Sequence, residues 1–206
     1  MPFISIEGID GSGKTLQSRL LAAALRKIDI KVIETKEPDR GSIGAEIRSI
    51  LVTDRTAKLS PLEELLLISA ARVSHLDGVI RPALDASEWV VCDRFLDSTY
   101  AFQVHKTDVP ERLYKEISSV VVGQTMPDLT FILDIDPVTA LERRSQRGEA
   151  ADRDPSEATR DFSRIREGLL VVAKRYPERC RVIDAKRPAS EVADLILFEL
   201  KRSTLL

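Results

Sequence analysis

The sequence predicts an α/β fold in three layers: a five-stranded parallel sheet flanked on both faces by helices. Five short, largely apolar runs, at 3–6, 31–35, 89–92, 129–134 and 181–184, alternate with stretches of helical spacing. Strands that read as nearly continuous apolar runs are those covered on both faces, as in parallel sheets. The first run leads straight into Gly8-Ile9-Asp10-Gly11-Ser12-Gly13-Lys14-Thr15, a glycine loop that opens a helix. Charged residues then collect just beyond the runs, at Asp10, Glu37, Asp93, Arg94, Asp134, Asp136 and Asp184. Ligands of open parallel sheets sit at these carboxyl ends.

The elements follow in order. Leu16, Leu20, Leu21, Ala24 and Leu25 recur at helical spacing behind the glycine loop. The second strand, at 31–35, is stopped by Pro38. A short helix is expected over about 44–52, and a longer one over 60–76, where Leu62, Leu65, Leu66, Ile68, Ser69, Arg72, Val73 and Leu76 form a broad apolar face. Ser60-Pro61-Leu62-Glu63 marks its start, with Ser60 as cap, Pro61 in the first turn and Glu63 completing a capping box. The third strand runs directly into Asp93-Arg94. A helix over about 111–123 precedes the fourth strand. A helix, a basic loop centred on 148–155 and a second helix fill 137–176, and the last helix follows the fifth strand at about 190–202.

The chain of 206 residues suits a single domain with one sizeable core. Its formal net charge of −2 gives no global attraction to nucleic-acid polymers or anionic membranes, so positive charge must act locally. The two cysteines, Cys92 and Cys180, each stand at the end of an apolar run and read as small core residues rather than a disulfide. No stretch approaches the roughly 20 apolar residues of a membrane helix, and no signal peptide is visible, so a cytoplasmic location is expected. His75 and His105 form no ligand set with the cysteines, and no serine has a nucleophile-elbow context.

The glycine loop fits G-x-x-x-x-G-K-[ST], in which backbone N–H groups of residues such as Gly11, Ser12 and Gly13 wrap nucleotide phosphates. Lys14 would reach the β- and γ-phosphates, and Thr15 would meet Mg²⁺. Gly8 and Gly13 permit turns in which a side chain would collide. Asp93, after an apolar strand, is the candidate second metal residue. Arg94 beside it would present a fork that matches phosphate geometry. Arg143, Arg144, Arg147 and Arg153 make the densest basic cluster. With Gly148 in its midst, this cluster is read as a lid over about 143–155 that brings arginines to the γ-phosphate.

These motifs, with Thr35-Lys36-Glu37-Pro38, Ala70-Ala71-Arg72, Ser98-Thr99, Ala101-Phe102-Gln103, Pro127-Asp128-Leu129-Thr130 and Arg147-Gly148, resemble the thymidylate kinase family in collinear order over nearly the whole chain. The resemblance implies a P-loop nucleotide kinase fold and transfer of the γ-phosphoryl of ATP to dTMP with Mg²⁺, by a homodimer. It places Asp10 near the sugar hydroxyl and the transferred group, Glu37 near the sugar and metal, and Arg94 on the dTMP phosphate. Arg72 and Thr99 would hydrogen-bond thymine, Phe102 and Gln103 would complete the acceptor pocket, and Asp184 and Ala185 would flank adenine. One branch of the family carries a catalytic arginine in the loop where this chain has Gly11. The chain instead resembles the branch whose lid supplies it, which makes Arg143, Arg147 and Arg153 the candidates. Ile68 stands where the family usually stacks an aromatic ring on the base, and Phe102 where it has tyrosine. Two rival readings stay open: the same fold with another nucleotide or nucleoside acceptor, and a non-catalytic nucleotide switch, against which stands the lack of an Asn-Lys-x-Asp segment.

Overall fold

The computed structural model describes residues 1–38, 43–53, 58–146 and 160–206. Five strands, β1 (Phe3–Gly8), β2 (Val32–Lys36), β3 (Trp89–Asp93), β4 (Leu129–Asp134) and β5 (Cys180–Asp184), form one parallel sheet in the order β2-β3-β1-β4-β5. The central strand β1 pairs Ile6 with Asp93 of β3 on one side and with Phe131 of β4 on the other. Strand order reverses around β1, so the crevice expected of such sheets opens at its carboxyl end, where the glycine loop begins.

Residues of β1, β3 and β4 are almost wholly buried, from Ile4 and Ile6 to Val90, Val91 and Phe131. Burying a side chain of that size contributes about 1.5–3 kcal/mol. Helices α1 (Lys14–Arg26) and α9 (Ala189–Arg202) pack against each other, while α8 (Phe162–Arg175) lies on β4 and β5. The remaining helices are α2 (Ile43–Val52), α3 (Pro61–His75), α4 (Arg81–Asp85), α5 (Leu96–Thr99), α6 (Glu111–Val122) and α7 (Pro137–Gln146). Among the described residues no helix is long and apolar enough to cross a membrane. Cys92 and Cys180 are free and buried.

The capping box at α3 forms as expected: the Ser60 hydroxyl accepts from the Glu63 N–H at 3.3 Å, and the Glu63 carboxylate accepts from the Ser60 N–H at 2.7 Å. Where the sequence predicts a stop near Leu76, however, the helical path continues. A π-helical turn over Leu76–Ile80 joins α3 to α4, because Pro82 lacks the N–H that would bond Gly78. The Arg81 N–H bonds the Leu76 carbonyl five residues back, which widens the turn and keeps Leu76 and Ile80 in the core.

A second departure lies after β3, where α5 runs into another π-helical turn, Tyr100–Val104. Most of this segment is buried, so no polar face marks it as helical in the sequence. Helix α8 packs closely against it at Gly168, where an added Cβ would come within 2.9 Å of the Ala101 Cα. From the same helix, Arg164 donates to the carbonyls of Ala101 (3.3 Å), Phe102 (3.1 Å) and His105.

Candidate active site

The glycine loop takes the shape its composition requires. Gly11 and Gly13 adopt φ values of 90° and 96°, in the region that side chains disfavour. A Cβ on Gly11 would also strike the Ala140 carbonyl of α7. This explains physically why an arginine cannot be accommodated there without moving α7. The Lys14 ammonium donates to the Ile9 carbonyl at 2.9 Å and lies 3.5 Å from Asp10. Burial and the nearby Arg94 charge both press its pKa downward, and Asp10, Asp93 and Glu7 oppose them.

Thr15 and Asp93 meet across the β1–β3 seam, with the Thr15 hydroxyl donating to Asp93 Oδ2 at 2.5 Å. The other carboxylate oxygen, Asp93 Oδ1, is buried with no hydrogen-bond partner. An orphaned acceptor beside a loop hydroxyl fits the donor set of a hard divalent cation. No group of three or more His, Cys, Asp or Glu side chains poised to hold a metal occurs among the described residues.

Arg94 is the most heavily held side chain of the site. Its backbone sits at φ 70°, a strained conformation for a residue with a side chain. Its guanidinium donates to the Gly8 carbonyl (2.9 Å), the Ser98 hydroxyl (3.0 Å) and the Asp10 carboxylate. Burial would raise the Asp10 pKa, but the charges of Arg94, Lys14 and Arg160 outweigh it and hold the carboxyl well below the usual range.

Behind Arg94 lies Glu7, fully buried in β1. It accepts from the Phe95 N–H at 2.7 Å and from the Ser98 hydroxyl at 2.5 Å. Burial, followed by the charge of Asp97, pushes its pKa from 4.5 up to about 7 against the pull of Ser98, Arg94 and Phe95. The folded chain therefore holds the Glu7 proton more tightly than the unfolded chain. Stability contributed by the neutral carboxyl is complete below about pH 4.5 and is lost as pH rises through about 7. In melting curves at pH 5 and pH 8, Glu7→Gln should gain on the wild type at the higher pH by on the order of 1–3 kcal/mol. A constant difference between the two proteins at both pH values would exclude this titration.

The other wall of the cleft is a buried relay. Arg72 donates from Nε (2.9 Å) and Nη2 (2.6 Å) to Glu37 Oε2, and from Nη2 to the Thr99 hydroxyl at 2.9 Å. His75 Nδ1 lies 3.2 Å from Glu37 Oε1, and His75 Nε2 lies 2.7 Å from the Thr35 hydroxyl. Burial favours a neutral Glu37, yet Arg72 and His75 together hold its pKa below the ordinary value. Both oxygens of Glu37 are thus engaged by protein groups, and the carboxylate serves first to aim Arg72.

Asp10, Glu37, Ile68, Arg72, Arg94, Thr99, Phe102 and Gln103 all border one open cleft of about 830 Å³. Residues that the sequence reading drew from five separate segments thus border one cleft. Arg48, Glu64, Phe95, Ser98 and Arg160, to which that reading assigned no role, line the same cleft. Glu64 accepts from the Gln103 amide at 2.8 Å, leaving Gln103 Oε1 buried without a partner. Glu7 had a visible signal, a lone carboxylate inside an apolar strand.

Asp184 and Ala185 stand at the end of β5, where the Ala185 N–H bonds the Asp134 carbonyl at 2.9 Å. Arg143, a candidate lid arginine, reaches this turn: it donates to the carbonyls of Ala185 (2.6 Å), Lys186 (2.8 Å) and Arg187 (3.3 Å). Arg147 and Arg153 lie outside the described residues.

With its phosphate loop at the end of the central strand, the Thr15–Asp93 pair bridging to the next and the cleft of Arg72 and Arg94 opening beside the loop, the chain has the architecture of a P-loop nucleotide kinase. The family model described as Thymidylate kinase matches residues 6–196. A thymidylate kinase of Caulobacter vibrioides is 46% identical over 184 residues, covering 89% of this chain and 88% of that protein. One of Pelotomaculum thermopropionicum is 40% identical over 185 residues, 90% of this chain and 86% of that protein. The crystal structure of thymidylate kinase from Ehrlichia chaffeensis matches with a TM-score of 0.77 at 32% identity, covering 97% of this chain and 98% of that one. The chain belongs to the thymidylate kinase family.

Proposed function

We propose that the chain transfers the γ-phosphoryl group of ATP to dTMP, giving dTDP and ADP. The observation that carries this reading is the placement of Arg94, fixed by three acceptors at the mouth of a cleft that adjoins Lys14 and the phosphate loop. An oxygen of the acceptor phosphate attacks the γ-phosphorus in line as the bond to the β-phosphate oxygen breaks. Such a transfer needs positioning and charge rather than a covalent protein intermediate.

In this reading Gly8, Gly11, Ser12 and Gly13 shape the loop around the ATP phosphates, Lys14 meets the β- and γ-oxygens, and the turn at Asp184 and Ala185 borders adenine. Thr15 and Asp93 would hold Mg²⁺, which when bound neutralises phosphate charge. Arg94 holds the acceptor phosphate, Asp10 orients Arg94 and Lys14, and Arg72 and Thr99 face the base. Residues 1–206 act as one kinase domain, whose segment at about 143–155 closes as a lid carrying Arg147 and Arg153. Leu62, Leu66 and Val73 of α3 remain exposed, an apolar face suited to pairing two copies in a homodimer. The free cysteines fit a reducing, cytoplasmic setting.

The deciding experiment is ADP release with ATP and Mg²⁺ across dTMP, dUMP, dCMP, dGMP and thymidine at matched concentrations. Turnover at least about 10-fold higher with dTMP is expected, and Ile68→Phe should lower its KM further, because an aromatic face adds about 0.5–1.5 kcal/mol of stacking. Preference for another acceptor would favour the rival suggested by Ile68. Binding of ATP without transfer to any acceptor would revive the nucleotide switch.

A further inference from the structure

We infer that Glu7 is a positioning residue for the acceptor side, aiming Arg94 from inside the core through the Ser98 hydroxyl. This rests on reading Arg94 as the holder of the dTMP phosphate. The buried Glu7 accepts at Oε2 from the Ser98 hydroxyl at 2.5 Å, and the Ser98 oxygen accepts from Arg94 Nη1 at 3.0 Å. The direction of this relay is fixed. A guanidinium can only donate, so the Ser98 oxygen must accept from it, and the single Ser98 proton is left for Glu7. An ionised Glu7 thus orients the hydroxyl whose lone pair meets Arg94. The other two acceptors of Arg94, the Gly8 carbonyl and Asp10, belong to the glycine loop, whereas Ser98 stands on α5. The fork is therefore held from two elements, and Glu7 governs the contact with the second.

Two further contacts separate this role from a general structural one. Glu7 Oε1 accepts from the Phe95 N–H at 2.7 Å, and the Phe95 ring centroid lies 5.0 Å from the Arg72 guanidinium carbon. One carboxylate thus serves the phosphate arm with one oxygen and the base arm with the other. Asp97, next to Ser98 on α5, is held by the Arg179 fork at 2.6 and 2.7 Å. That ion pair anchors the backbone of α5 independently of Glu7, which leaves Glu7 to set the Ser98 hydroxyl. Burying a carboxylate in a central strand is costly, yet an apolar residue at position 7 would leave both the Phe95 N–H and the Ser98 hydroxyl without this acceptor.

The test is steady-state kinetics at pH 8, above the value of about 7 to which the Glu7 pKa is raised, with thymidine as an inhibitor that lacks only the phosphate. Glu7→Gln keeps the shape and an acceptor for the Phe95 N–H but turns an N–H toward Ser98. The expected result is a fall in kcat/KM for dTMP of about 10-fold, mainly through KM, with the KM for ATP and the inhibition constant of thymidine within about twofold of wild type. Ser98→Ala should show the same pattern, and adding Glu7→Gln to it should cost no more than about twofold further, because the two residues act in series. Effects that multiply in the double variant, unchanged dTMP kinetics in Glu7→Gln, or equal weakening of dTMP, ATP and thymidine would overturn the relay and leave the acceptor reading intact. If Arg94→Ala, run beside them, spares dTMP, the acceptor reading falls and the relay with it. Should a melting curve show that Glu7→Gln does not fold, Glu7→Asp draws the carboxylate back from Ser98 and is expected to lose dTMP efficiency by a similar factor; wild-type efficiency there would overturn the inference.

Discussion

Replacing Lys14 by alanine is expected to lower kcat by about 10²- to 10³-fold, the range found when one preorganised charge or donor is removed from a reacting centre. The effect should be catalytic before it is structural. Asp10 keeps its contact with Arg94 in the variant, and the loop glycines and the Thr15–Asp93 hydrogen bond do not depend on the ammonium. Because Lys14 is held beside Ile9 and Asp10, its charge is positioned before ATP arrives and requires little reorganisation in the transition state. Steady-state kinetics with varied ATP, accompanied by a melting curve, check this. A kcat within threefold of wild type would remove Lys14 from the reaction.

Arg94→Ala should act on the other substrate, reducing kcat/KM for dTMP by about 10³-fold while the KM for ATP changes much less. The substitution also withdraws the donors to Gly8 and Ser98 and leaves Asp10 with Lys14 as its near cation. Arg94→Lys should recover little. One ammonium cannot reproduce a fork that meets the Gly8 carbonyl, Ser98 and Asp10 from fixed angles. If the variant instead raised the KM for ATP and spared dTMP, Arg94 would have to be reassigned to the ATP side.

The contrast between these residues and their neighbours explains how much was legible beforehand. Lys14, Thr15, Asp93 and Arg94 could be read because each sits at a fixed offset from a strand end, and strand ends are visible as the close of an apolar run. The cleft wall from Thr99 to Gln103 was placed by resemblance alone. Its backbone is helical with a π-helical turn and buried on several sides, so the periodicity that would announce it is absent. The stop expected near Leu76 is likewise absent, because a widened turn absorbs the N–H missing at Pro82. Partner choice was the least legible property. That Glu37 is committed to Arg72 and His75, and that Arg143 braces the 185–187 turn, depends on contacts between residues tens of positions apart.

The pairing of Ile6 with Asp93 fixes one more property of the enzyme. Strands β1 and β3 are neighbours, and the glycine loop leaves one directly while Arg94, proposed to hold the acceptor phosphate, leaves the other, its N–H bonding the Ile6 carbonyl at 3.0 Å. Adjacent strands lie about 4.8 Å apart whatever the loops above them do. With the two phosphate sites as proposed, the offset between them is a lattice constant of the sheet rather than a hinge setting, and sequence drift in the surrounding loops would retune which base is accepted without disturbing the line along which the phosphoryl group travels.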